Sequence, residues 1–177
     1  MSVKLLDNEW RFINKILLTI HSAEDIDSMR TDLLTLLQML IKFDYASIYL
    51  CENGTLTNPI GYNFSEEDLY FYLDELEEID PFRPLMKMFA DPNHPAIRVH
   101  DYALNARIED TEYYKAAWEP KGIKYSLFAG LGYNKDMLGC ISIYRKRENF
   151  NFTDRDIHIV NIIKDHLNIR LWREKNK

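Results

Sequence analysis

The side chains able to do chemistry in this sequence are few and scattered. Cys51 and Cys140 stand far apart with no base beside either. They allow at most one disulfide and read as two small thiols buried on strands. His21, His94, His100, His158 and His166 share no ligand spacing, and His158 and His166 lie more than two turns apart on one helix, too far for adjacent metal ligands. No Gly-x-Ser-x-Gly, His-Glu-x-x-His, Gly-rich phosphate loop or Cys-x-x-Cys occurs. The expectation is therefore no catalytic residue, no metal and no resident cofactor, with a cysteine-based redox enzyme kept as an alternative. The compositional oddity is aromatic: 11 Tyr, 9 Phe and 3 Trp make up 13% of the chain. Tyrosine joins an apolar body to a polar tip, which suits a pocket wall or an interface as well as a core.

The elements that must position these residues follow from periodicity and punctuation. Asp7 is a candidate cap for a first helix with Trp10, Ile13, Leu17 and Ile20 on one face. A second helix is expected from near Ser22, with Asp25 three residues on and Ile26, Met29, Leu33, Leu36, Leu37 and Leu40 inside. Tyr45–Cys51 reads as a strand, Glu52-Asn53-Gly54 as a turn, and Thr55–Tyr62 as the returning arm of a hairpin, with Pro59 confining it to an edge or a bulge. Ser65 opens a helix with Leu69, Tyr72, Leu73 and Leu76 that stops before Asp80-Pro81. A short helix near 85–89, a strand at 97–100 and a helix holding Tyr113, Tyr114, Ala117 and Trp118 complete the middle of the chain. Strands at 124–132 and 137–144 flank a polar turn at Asn134-Lys135, and Thr153 caps a long closing helix to about Arg173. The order is α+β, an antiparallel sheet packed by helices from both termini.

Length and charge narrow the class further. The 177 residues are expected to make one domain, 1–177, with terminal helices over 7–42 and 153–173, a core sheet over 45–145 and no DNA-binding domain. A chain of this size buries roughly 70% of its unfolded surface and needs no disulfide staple. With a net charge of −6 it is a poor holder of nucleic acid through its phosphates. No apolar run approaches the ~18–20 residues of a membrane span. Asp7 and Glu9 precede any apolar run, so no secretory signal is visible and the expected compartment is the cytoplasm.

Several segments together resemble GAF domains, and more closely the GAF-type sensors placed ahead of a helix-turn-helix in LuxR-type bacterial regulators. Tyr114 to Ile123 reads YKAAWEPKGI, similar to an aromatic helix ending in a Pro-x-Gly turn. Leu138 to Arg145 reads LGCISIYR, similar to the family's closing strand, and Phe152 to Asp156 reads FTDRD, similar to the capped start of its last helix. Tyr72 followed by Asp80-Pro81 resembles a tyrosine-rich helix before Asp-Pro in such sensors. No helix-turn-helix follows Lys177, so on this reading the chain is a sensor fragment or a stand-alone sensor.

The resemblance implies a GAF-like antiparallel sheet with a helical insertion over its other face and a small organic ligand between them. On that mapping the insertion supplies Tyr70, Tyr72, Tyr113, Tyr114 and Trp118, and the sheet supplies Tyr62, Tyr125 and Leu127. Asp80 and Asp101, the carboxylates nearest in sequence, are the candidate acceptors for a ligand amide or amine. The Cys-His context of bilin attachment is absent around both cysteines. The alternative is a ligand-free dimerisation module whose pocket is filled by its own aromatics. On the closing helix Ile162 and Ile169 point away from the stripe of Val160, Ile163, Leu167 and Leu171, which with Trp172 makes them the expected homodimer interface.

Overall fold

The structure, a computed structural model, describes residues 2–177. Tyr45–Glu52 (β1) turns through Asn53 and Gly54, both with positive φ, into Thr55–Tyr62 (β2). Asn-Gly is the pair that takes two successive left-handed conformations with least strain, and that geometry matches hairpin twist. A short strand, Ile97–Arg98 (β3), precedes Ile123–Tyr133 (β4) and Asp136–Lys146 (β5), which are joined across Asn134 and Lys135, again both at positive φ. The sheet order is β2-β1-β5-β4-β3, with every neighbouring pair antiparallel.

Asp7–Ser22 (α1) and Ile26–Leu40 (α2) cover one face of this sheet. The other face carries the chain between β2 and β4, which includes Glu66–Phe71 (α3) and Met86–Phe89 (α4). Asp154–Lys175 (α5) returns to the first face. Reciprocal capping boxes start α3 (Ser65 with Asp68) and α5 (Thr153 with Asp156). α2 and α5 lie on the strands, and α1 packs across both of them. α1 runs parallel to α5: Arg155 pairs with Glu9, His21 Nε2 lies 2.8 Å from His166 Nδ1, and Arg170 donates to the Ile20 and Ala23 carbonyls.

Three sequence expectations change. Ser22 ends α1 rather than opening α2, whose cap is Asp25, its carboxylate accepting from the Ser28 N–H at 2.8 Å. The buried stripe of α1 is Ile13, Ile16 and Ile20, whereas Trp10 is 43% exposed, because the helix is covered only where α2 and α5 meet it. On α5, Ile162 and Trp172 are half-buried against their own core, and the Trp172 ring lies 5.6 Å from that of Tyr133. The second stripe of α5 is thus partly occupied within the chain. No helix of the described residues is long and apolar enough to cross a membrane.

The far side of the sheet is clamped at close range. A Cβ at Gly130 or Gly132 would come within 2.5 Å and 2.2 Å of the Phe89–Ala90 backbone, so the end of α4 sits directly on β4. Lys164 of α5 reaches past the sheet edge and donates to the Phe89, Asp91 and His94 carbonyls at 3.0, 3.1 and 2.6 Å. The sheet therefore has two cores, one under the helix layer and one under the insertion.

Candidate binding pocket

The insertion does not close onto the sheet everywhere. Between them lies a cavity of about 310 Å³. Its floor is the alternate residues of three strands: Ser47 and Tyr49 of β1, Ser126 and Phe128 of β4, and Cys140, Ser142 and Tyr144 of β5. Ser47 pairs with Ser142 in the register, and Ser126 with Tyr144, so the three hydroxyls form one polar band across an apolar sheet. Its roof comes from two helical stretches. α3 continues as a π-helical turn, Tyr72–Leu76, and Tyr114–Trp118 is a second π turn. π turns are rare in proteins and recur at functional sites. Here both carry residues that face the cavity, Tyr72 and Leu76 from one and Ala116, Ala117 and Trp118 from the other.

The roof is tied down in three places. The Tyr49 hydroxyl donates to the Leu69 carbonyl at 3.0 Å, fixing α3 over β1. Lys121 pairs with Asp68 at 3.0 Å, joining the two ends of the insertion at the cavity rim. Asp80 accepts the Tyr72 hydroxyl at 2.7 Å on Oδ2 and the Phe82 N–H at 2.9 Å on Oδ1. Burial pushes the Asp80 pKa up against these hydrogen bonds, which pull it down. Burial also raises Tyr49, Tyr72 and Tyr113, and pushes Tyr144 up to about 12. These phenols stay protonated donors at neutral pH. Trp118 is 3% exposed, and its indole N–H has no partner among the described residues.

Of the residues singled out in the sequence, Tyr72, Asp80, Tyr113 and Trp118 meet around this cavity. Tyr114 stays behind Trp118, ring to ring at 5.6 Å, buried without reaching the void. Tyr70 is 44% exposed on the outside of α3. Tyr125 and Leu127 sit on the helix-layer face of β4, because side chains alternate and Ser126 and Phe128 take the cavity face. Tyr62 also faces the helix layer, edge-on to Phe43 at 5.3 Å. Asp101 is outside the site, held by Arg98 at 2.6 Å beside the start of α5. The serine band was not singled out, although serines inside otherwise apolar strands were the available signal.

The cysteines are separate free thiols. Cys140 lines the cavity, but burial pushes its pKa up to about 12, so it is neither a thiolate nor a ready nucleophile. Cys51 is raised by burial as well. Among the described residues no group of three His, Cys, Asp or Glu side chains could hold a metal ion.

Comparison with solved structures fixes the architecture. The GAF domain of an Acinetobacter phosphoenolpyruvate-protein phosphotransferase superposes with a TM-score of 0.69 at 12% identity, covering 97% of this chain and 98% of that one. This is the GAF fold. The VqsR LBD domain from Pseudomonas aeruginosa shares it with a TM-score of 0.64 at 15% identity, covering 97% and 98%. The A. aeolicus nlh2 GAF domain, in an inactive state, matches at 0.60 and 13%, covering 94% and 96%. No family model and no curated protein sequence matches the chain. The likeness to these GAF domains is thus one of shape.

Proposed function

We propose that this GAF domain is a small-molecule sensor: it binds an organic ligand in the cavity under the insertion and passes the occupancy to its helix layer. The observation that carries this reading is the open void of about 310 Å³, apolar in its walls yet holding a buried carboxylate, phenols, a serine band and an unpartnered indole N–H. A concave, largely apolar site with a few convergent polar groups is the usual form of a ligand pocket. The likeness to the VqsR LBD domain supports a place in a transcriptional or signalling regulator. The output route we propose is a homodimer formed through α1 and α5. Leu6, Trp10 and Leu18 are exposed apolar residues on or beside α1, and Ile162 and Ile169 are only half-buried on the neighbouring α5. A ligand drives such a device only by binding its two arrangements with different affinity.

The test fills the void. Ser126→Leu projects a larger side chain from the floor and is expected to preserve the fold while removing ligand-induced thermal stabilisation in a screen of mixed small molecules. A parent protein that no compound stabilises would favour the self-filled interaction module instead.

A further inference from the structure

α5 holds the insertion and the end of β4 by a row of polar side chains, and the partners of that row are main chain. Asn161, Lys164 and Asn168 are spaced i, i+3 and i+7, which puts them on one side of the helix. Asn161 Oδ1 accepts the Ala96 N–H at 2.7 Å, where the insertion enters β3. Lys164 donates to the Phe89, Asp91 and His94 carbonyls. Asn168 Oδ1 accepts the Gly132 N–H at 2.9 Å, at the glycine on which the Ala90 carbonyl rests. The contacts to α1 come from Arg155, His166 and Arg170, and the buried stripe of Val160, Ile163 and Leu167 lies between these residues and the polar row. α5 thus grips the insertion with one flank and α1 with the other.

Two features distinguish the row from plain packing. Lys164 is 2% exposed and no carboxylate pairs with it among the described residues, so carbonyl dipoles alone hold its ammonium, and burial pushes its pKa down to about 8. Asn168 is as deeply buried, and its Nδ2 has no partner among the described residues. The Gly132 bond fixes the orientation of this amide, so the orphan is its NH₂ group. A buried donor left unpaired is costly, and a small slide of the insertion along α5 that gave it an acceptor would remove the cost. The segment that would slide, 89–96, begins at the pocket wall. Phe89 packs on Phe82 at 6.2 Å and on Phe128 at 5.6 Å, both of which line the cavity, as does Met86 one turn earlier. Packed interfaces switch between discrete arrangements rather than deforming smoothly. We propose that this row is the device that carries the state of the pocket to the helix layer. Filling the cavity displaces Phe89, the 89–96 segment moves along Asn161, Lys164 and Asn168, and α5 shifts against α1.

This proposal rests on the pocket reading, and the test separates the two. The chain's 3 tryptophans stand one in each layer, Trp118 at the cavity, Trp172 on α5 and Trp10 on α1. Their indole N–H resonances, assigned through Trp10→Phe, Trp118→Phe and Trp172→Phe, read the layers one by one. Met86→Phe fills the cavity from its wall without a ligand, and indole fills it as a free probe. Each is expected to move the Trp118 and Trp172 resonances and to shift the Asn168 side-chain amide protons downfield as they gain an acceptor. In a Lys164→Met background the Trp118 shift should remain, while the Trp172 shift falls to less than half. Should that background not fold, Asn161→Ala, which removes one half-buried contact of the row, is expected to reduce the Trp172 shift in the same direction. A Trp172 shift undiminished in these backgrounds runs through the strands and overturns the proposal. So does a Trp172 resonance that stays still when Met86→Phe alone fills the cavity. If neither indole nor a mixed fragment set moves Trp118, the pocket reading falls, and the Met86→Phe comparison still decides the row.

Discussion

At the scale of single residues, burial of Asp80 raises its pKa above that of the unfolded chain, so between the two values the native state holds a proton that the unfolded state has released. Its contribution to stability is full below the unfolded value near 4 and is lost as pH rises through the folded value. Asp80→Asn keeps an oxygen for the Phe82 N–H and removes the charge. The ligand-free variant should therefore melt higher than the parent at pH 7.5, by about 2–4 °C for roughly 1 kcal/mol in a domain of this size. The difference should vanish below pH 4, as thermal melts across pH would show. A variant that melts lower at pH 7.5 would mean that the carboxylate is needed as an acceptor by the fold itself. Sites that cost stability are where function is to be sought. Asp80, Tyr72, Tyr113 and Trp118 were legible because they come from the segment that the GAF resemblance lays over the sheet. Tyr125 and Leu127 were misplaced for a physical reason. β4 is buried on both faces, so no alternation of polar and apolar residues reveals which parity faces which layer.

At the scale of elements, most strands and capped helices were readable from turn and capping residues, and the exceptions have local causes. In β2 the pairing passes from Ile48↔Ile60 to Leu50↔Thr57, so Asn58 and Pro59 together oppose Tyr49. The extra residue reverses the parity of everything after it. Leu56 therefore belongs to the insertion side, while Ile60 and Tyr62 belong to the helix layer. Asn58 takes the left-handed conformation there, and its carbonyl accepts from the fully buried Arg30 at 2.6 Å. Pro59 announced an edge or a bulge, and β2 is both, but sequence alone does not give the direction of the slip. The two π turns misalign helical periodicity in the same way, one residue at a time. The clamp through Lys164 was invisible because its acceptors are backbone carbonyls far away in the chain. Lys164→Met would keep the aliphatic stem and strand three carbonyls, a loss of about 2–4 kcal/mol, since hydrogen bonds to a charged donor run ~1.5–3 each and the cost of burying the ammonium offsets much of their sum. Urea unfolding measures it, and amide exchange should quicken first at 90–96. An unchanged midpoint would show that the close seat of α4 on Gly130 and Gly132 holds this segment without the lysine.

At the scale of the whole molecule, the same strands serve two layers. Along β1 and β4 successive side chains go to the pocket and to the helices in turn, so a ligand that shifts the strands acts on both sides of the sheet. The helix layer is coupled along its length, since Arg155–Glu9, His21–His166 and the Arg170 contacts hold α1 parallel to α5 at successive levels. What remains uncovered is the outer side of α1, where Trp10 is 43% and Leu18 68% exposed, with Leu6 at 64% just before the helix. Covering such side chains is worth ~1.5–3 kcal/mol each, and a second copy apposed along α1 and α5 would supply the cover. Ile162 is a poor probe of that interface because it also packs on its own core. Trp10 and Leu18 are absent from both cores, so replacing both by Glu tests association and leaves the packing of Ile13, Ile16 and Ile20 untouched. Sedimentation should report a dimer for the parent and a monomer for Trp10→Glu/Leu18→Glu, with equal circular dichroism and cooperative melting in both. A parent that sediments as a monomer at high concentration defeats the homodimer. So does a double variant that remains dimeric, since the contact must then lie away from the exposed side of α1.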